Sequence, residues 1–110
     1  RVNVNVETEG DLVIVRPVGK LDALTAPVMQ EAVDEVMKDE PPHVIIDMAE
    51  VPYISSAGLR VFIRAAKSAQ GSGKLAVCRL NDNVRQVFEL AGFDKIMNLC
   101  DDLETAKSST

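Results

Sequence analysis

The chain has 110 residues, with 46% hydrophobic and 26% charged residues and a formal net charge of −5. This is the size and make-up of a single globular domain over residues 1–110 with a core of its own, which excludes disorder and collagen-like structure. The acidic balance makes nucleic acid and anionic membrane poor partners, and no apolar run approaches the roughly 20 residues of a membrane span.

In chain order, Val2-Asn3-Val4-Asn5-Val6-Glu7 alternates strictly, the pattern of a strand with one wet face. Glu9-Gly10-Asp11 reads as a turn, and Leu12-Val13-Ile14-Val15 as a second strand buried on both faces, ended by Pro17 and Gly19. From Thr25, a candidate N-cap, the period becomes helical, with Val28, Met29, Ala32, Val33, Val36 and Met37 expected on the inner face. Asp39 to Pro42 close that helix. His43-Val44-Ile45-Ile46-Asp47-Met48 is a third strand, apolar on both faces.

A loop from Ala49 to Ile54 leads to a second helix after Ser55-Ser56, with a stripe of Leu59, Phe62, Ile63 and Ala66. Its Arg60, Arg64 and Lys67 form a short basic row, expected to be a solvated face. Gly71-Ser72-Gly73 stops the helix, and Leu75-Ala76-Val77-Cys78 is a fourth strand. Asn81 or Asp82 caps a third helix, and Gly92 sits where a left-handed C-cap belongs. Ile96 to Leu99 is a short extended piece, and Asp101-Asp102-Leu103-Glu104, a capping-box variant, opens a last short helix.

The order β-β-α-β-α-β-α-α describes an α/β domain: a small mixed sheet of about four strands, parallel except for an antiparallel first strand at one edge. Helices must cover both faces. In open sheets of this kind, sites form beyond the carboxyl ends of the parallel strands. The loop Gly19-Lys20-Leu21-Asp22 and the loop Val51 to Ser56 leave neighbouring strands there, so Asp22 and Ser56 are expected on one rim.

Ser56 has two compatible readings. As an N-cap its hydroxyl would accept a backbone N–H. As a phosphorylation site it would carry a charge next to free helix N–H groups. A nucleophilic enzyme is poorly supported, because the lone histidine, His43, stands at the opposite end of the third strand, about 16 Å away at roughly 3.3 Å per residue. No phosphate-cradling glycine motif occurs. Asp47 and Glu50 read as loop caps or solvated charges. Cys78 and Cys100 read as buried thiols, too few and too far apart for a disulfide framework or a zinc site. No cofactor and no metal are expected, and a reducing, cytoplasmic compartment fits best.

Four stretches together carry a resemblance: Gly19 to Pro27, Val44 to Asp47, Tyr53 to Val61 and Val87 to Phe93. With them the chain resembles a STAS domain, and more narrowly a stand-alone bacterial anti-sigma factor antagonist. The resemblance implies a partner switch. The unphosphorylated protein would bind an anti-sigma factor that is also a serine kinase, phosphorylation would release it, and a serine phosphatase would reset it. It implies a monomeric kinase substrate that is no enzyme. The family's phosphorylated serine, two positions before the glycine, maps to Ser56, and its acidic loop residue maps to Asp22. The partner-binding rim would comprise Asp22, Ser55, Ser56, Ala57, Gly58 and Leu59. Many such antagonists carry Asp just before the phosphorylated serine; here Ser55 stands there and is a second candidate acceptor. The alternatives are a small-ligand-binding or enzymatic α/β domain on the same rim, or a STAS subunit of another signalling or transport assembly.

Overall fold

Five strands, β1 (Asn3–Glu9), β2 (Leu12–Val18), β3 (His43–Asp47), β4 (Lys74–Cys78) and β5 (Asn98–Cys100), form one sheet in the order β1-β2-β3-β4-β5. The helices are α1 (Ala26–Met37), α2 (Ser56–Ala69), α3 (Asp82–Leu90) and α4 (Leu103–Ser109), with a 3-10 turn at Phe93–Lys95. The structure, a computed structural model, describes residues 3–69 and 74–109. Val2 of the expected first strand and the helix stop at Gly71, Ser72 and Gly73 lie outside the described residues. β1 pairs antiparallel with β2, and every other neighbouring pair is parallel.

The fifth strand corrects the expected four. Of the extended piece read at Ile96 to Leu99, Ile96 ends the 3-10 turn, and pairing begins at Asn98, opposite Ala76. Pro17 does not end β2 but lies inside it, opposite Val4. The β2–β3 register stops at Val15↔Ile46, so at Pro17 β2 is unpaired on that side and tolerates a residue without an N–H.

Alternation along the strands builds two apolar layers, as strands without a polar face require. Val15, Val44, Ile46, Leu75 and Val77 face α1, α2 and α3, with Phe62, Phe88 and Phe93 in the same layer. The Phe62–Phe88 and Phe88–Phe93 ring centroids are 5.0 and 5.2 Å apart, edge to face. On the other face Ile14, Ile45, Ala76, Cys78 and Cys100 pack against Ala106 of α4.

α1 keeps its expected stripe except at Val28, with Ala32, Val36 and Met37 half-buried, whereas α2 is turned relative to its expected stripe. α1 buries Ala26, Met29 and Val33, while Val28 is exposed. α2 buries Gly58, Val61, Phe62, Ala65 and Ala69, while Ile63 faces water and Leu59 and Ala66 are half-buried. α3 begins as expected, with the Asn81 side chain accepting the Val84 N–H at 2.8 Å, and Gly92 follows it at φ 80°. The cap of α4 is Asp102 rather than Asp101: its carboxylate accepts the Thr105 N–H at 2.7 Å, and Asp101 pairs with Arg85 instead.

Candidate functional site

Beyond the end of β3, backbone pairing with the β2 side continues in a looser form. Bridges form at Val18↔Glu50 and Leu21↔Ile54. The Gly19 and Leu21 N–H groups donate to the Glu50 and Tyr53 carbonyls, both at 3.0 Å, and the Ser55 N–H donates to the Leu21 carbonyl at 2.8 Å. The loop after β2 and the loop before α2 are thereby joined at the carboxyl rim. Asp22 and Ser56 each lie one residue past the last bonded pair, Leu21 and Ser55.

Ser55, not Ser56, caps α2. With its N–H tied to Leu21, its Oγ lies 3.4 Å from the Gly58 N–H, a long bond, and its carbonyl accepts the Leu59 N–H at 2.9 Å. Ser56 is the first helical residue, exposed, and its hydroxyl has no hydrogen-bond partner among the described residues. The cap expected at Ser56 is thus shifted by one residue. Gly58 explains how the helix can start so close to the loop. A Cβ there would stand 2.7 Å from Ile54 Cγ1 and 2.9 Å from the Leu21 carbonyl, so only glycine fits the approach. The same contact turns α2 onto Gly58, Val61, Phe62 and Ala65 in place of the stripe read from hydrophobicity.

Asp22 is engaged in its own loop. Its carboxylate accepts the Leu24 and Thr25 N–H groups at 3.0 and 3.1 Å and the Thr25 hydroxyl lies 3.2 Å away. The bond from the Thr25 N–H, with help from the hydroxyl and Leu24, holds this carboxyl below its ordinary range. Thr25 occupies the N-cap position of α1 expected of it, but its hydroxyl donates to the Lys20 carbonyl at 2.7 Å and makes no cap bond to the helix, while the Asp22 carboxylate orders the turn just before α1. On the same rim Leu24 is 87% and Tyr53 51% exposed.

Of the two expectations for Asp47, the structure bears out the loop cap, its carboxylate accepting the Ala49 N–H, and not the solvated charge, since it is 2% exposed. One carboxylate oxygen accepts from Arg79 Nε at 3.0 Å and from the Ala49 N–H at 3.2 Å, and the other accepts from Arg16 Nε at 3.1 Å and a terminal Arg79 nitrogen at 2.5 Å. Burial alone would push this carboxyl up, but the bonds from Arg79, Ala49 and Arg16 outweigh it and hold it below its usual range. Arg16 also pairs with Glu7 across the hairpin. Arg79 reaches Asp47 from a left-handed backbone, φ 58°, an uncommon conformation for a residue with a Cβ. The Asn81 amide donates to the Pro52 carbonyl at 3.2 Å. The segment from Asp47 to Ser55 is therefore held at its start by Asp47, in its middle by Asn81 and at its end by Leu21. The signal for Asp47 lay in the strand's own alternation, since it shares a face with buried Ile45. Nothing local in the sequence marks Arg79 as its partner. Glu50 is exposed, and its carbonyl carries the bridge to Gly19.

Cys78 and Cys100 are free, buried and opposite one another in register, and burial pushes the Cys78 thiol up to about 12. Among the described residues no three His, Cys, Asp or Glu side chains are grouped to hold a metal ion, and no helix is long and apolar enough to cross a membrane. His43 opens β3, at the end away from this rim. The site therefore presents an accessible hydroxyl at the head of α2.

The family model of the STAS domain matches residues 3–106. An anti-sigma-B factor antagonist of Listeria monocytogenes is 34% identical over 94 residues, 84% of this chain and 82% of that protein. BtrV of Bordetella bronchiseptica is 42% identical over 67 residues, 60% of this chain and 58% of that protein. Among solved structures, an anti-sigma factor antagonist from Mycobacterium paratuberculosis superposes with a TM-score of 0.94 at 26% identity, covering 99% of this chain and 93% of that one.

Proposed function

The chain belongs to the STAS domain family, and from that premise we propose that it is an anti-sigma factor antagonist that works as a partner switch on the rim around Ser56. Unphosphorylated, it binds an anti-sigma factor that is also a serine kinase, which frees the sigma factor. In the phosphoryl transfer the Ser56 oxygen forms the new bond to the γ-phosphorus of ATP, its proton passes to a base of the kinase, and ADP leaves. A serine phosphatase restores the hydroxyl by hydrolysis. The chain itself catalyses nothing in this cycle, which belongs to the cytoplasm.

The observation that carries this reading is the Ser56 hydroxyl, exposed and unbonded at the head of α2, with exposed Leu24 and Tyr53 on the same rim. It favours Ser56 over Ser55 as acceptor, because the Ser55 hydroxyl is already used to cap the helix. Asp22, Ala57, Gly58 and Leu59 complete the docking rim, with Asp22 shaping the loop through the turn it caps. The phosphoryl group adds a charge of about −1.5 to −2. Inside the domain, helix α2 tolerates that charge at its first residue. Across an interface shaped for a neutral hydroxyl it must be desolvated or must clash.

The test is to incubate the protein with the candidate kinase and ATP and map the modified residue, then titrate the parent, Ser56→Ala and phosphorylated protein against the kinase. Ser56→Ala should block phosphorylation and keep binding, and the phosphorylated protein should bind about 30- to 1,000-fold more weakly, the equivalent of about 2–4 kcal/mol. Equal affinity for all three ends the switch at this residue, and phosphate found only on Ser55 moves it by one position.

A further inference from the structure

Helix α2 contains no acidic residue in its whole length, SAGLRVFIRAAKSA. Its cations are therefore left to find partners outside it. Arg64 does so, with Nε 3.6 Å from an Asp34 carboxylate oxygen on α1. Arg60 does not: it is exposed, and it makes no ion pair or side-chain hydrogen bond among the described residues. Its neighbours at helical spacing are Ser56, Ala57, Ile63 and Arg64, two of them apolar and one a like charge. The fourth, Ser56, is one turn towards the N-terminus, exposed and unbonded. Residues four apart lie about 5–6 Å apart between Cβ atoms on one helix face, and an anion N-terminal to a cation is the favourable order.

We propose that Arg60 is the intramolecular counter-ion of a phosphoryl group on Ser56. The proposal rests on the reading of Ser56 as the acceptor. A guanidinium binds phosphate oxygens in a bidentate, charge-assisted manner, which a lysine at the same place would not reproduce. The phosphorylated helix gains the i,i+4 ion pair that its sequence otherwise lacks, and the unphosphorylated helix leaves Arg60 as a free cation one turn from the docking serine. Phosphorylation thus changes the rim twice, by adding an anion and by occupying a cation. Other charged or titratable groups of this rim are Lys20 and Asp22 on the loop after β2, Glu50 and Tyr53 on the loop before α2, and Arg79 beyond β4, which is engaged by buried Asp47. The Asp22 carboxylate opposes the phosphate and is already engaged by Thr25 and Leu24.

The experiment uses full-length protein with phosphoserine installed at position 56 during synthesis, so that no kinase is needed. Its second phosphate ionisation is followed by phosphorus NMR in the parent, Arg60→Gln and Arg64→Gln backgrounds. The expected result is that Arg60→Gln raises that pKa by roughly 0.15–0.4 unit, Arg64→Gln leaves it unchanged, and the Arg60 effect shrinks at 1 M salt. Arg60→Lys should restore only part of the shift. Identical titrations in the parent and Arg60→Gln overturn the pair, as does an equal shift from Arg64→Gln. Mapping by the kinase separates the two levels: phosphate placed only on Ser55 removes Ser56 as the acceptor, whereas the NMR titration decides the ion pair by itself.

Discussion

Asp47 keeps a charge where water does not reach it, and its two arginine partners make that tolerable. Arg16 and Arg79 are themselves part-exposed, so their cost of burial is small while the carboxylate receives a full set of donors. A carboxyl held below its ordinary range contributes stability that is present above the unfolded value, about 3.9, and is lost as pH falls through the folded value. Asp47→Asn should therefore destabilise the domain by about 1–3 kcal/mol at pH 7 in urea melts. The gap between parent and variant should narrow steadily below about pH 4, where the unfolded parent takes up a proton that the folded carboxyl, held lower, still refuses. A gap that stays constant down to pH 2 would show that the charge of Asp47 contributes nothing. At Gly58 the constraint is steric. Gly58→Ala should lower stability by about 1–3 kcal/mol despite the better helix propensity of alanine, because Ile54 and the Leu21 carbonyl stand inside contact distance. A thermal melt at or above the parent's midpoint would mean that the loop gives way at little cost.

At the scale of elements, the rim is a set of loops tied to one another more than to the strands they leave. Asn81 acts in two ways, capping α3 through its oxygen and holding Pro52 through its amide nitrogen. Asn81→Asp should keep the cap and lose the tether. Asn81→Ala should lose both and cost about 0.5–2 kcal/mol from the cap alone. Amide hydrogen exchange in residues 48–55 separates the two effects. Faster exchange is expected in both variants, and exchange unchanged in Asn81→Asp would show that the tether does not order the loop. β3 belongs to the same scale as the strand that sets the rim's height. Ile45 is fully buried and central, so Ile45→Asp should abolish cooperative unfolding, an unpaired buried charge costing several kcal/mol of a typical 5–15.

Over the whole molecule the two faces of the sheet are covered unequally. Three helices lie over one face, while the other owes its apolar closure to the seven residues of α4, through fully buried Ala106. Cys78 and Cys100 lie beneath that cover, and a thiol pushed up to about 12 has almost no thiolate to react. Ala106→Asp should lift α4 from the sheet and make both cysteines modifiable by a thiol reagent within minutes, while the parent reacts slowly. Ser56 lies at the head of α2, a helix of the other layer, so its phosphorylation in the Ala106→Asp background should remain possible as long as the sheet persists. Equal thiol reactivity in parent and variant would mean that α4 does not guard this face.

What the sequence alone determined is what short-range pattern can encode. Alternation and β-branched runs marked the strands, and the β-α-β order made β2, β3 and β4 parallel. That order put Gly19 to Asp22 and Val51 to Ser56 at one end of the sheet. The stretch from Tyr53 to Val61, with Gly19 to Asp22, carried the resemblance to the STAS family. Tertiary structure decided what depends on contacts between distant residues. Whether Ser55 or Ser56 caps α2 turns on the bond from the Ser55 N–H to Leu21, 34 positions away in the chain. The rotation of α2 follows from Gly58 against Leu21 and Ile54, which no helical periodicity contains. The fate of Asp47 depends on Arg16 and Arg79, 31 and 32 positions distant. A three-residue strand such as β5 has too few side chains to announce itself, and it exists because the open edge of β4 offers unpaired backbone groups to the segment that returns past it. Local preference selects the elements, but it leaves rotation, register and the partner of each buried charge to packing.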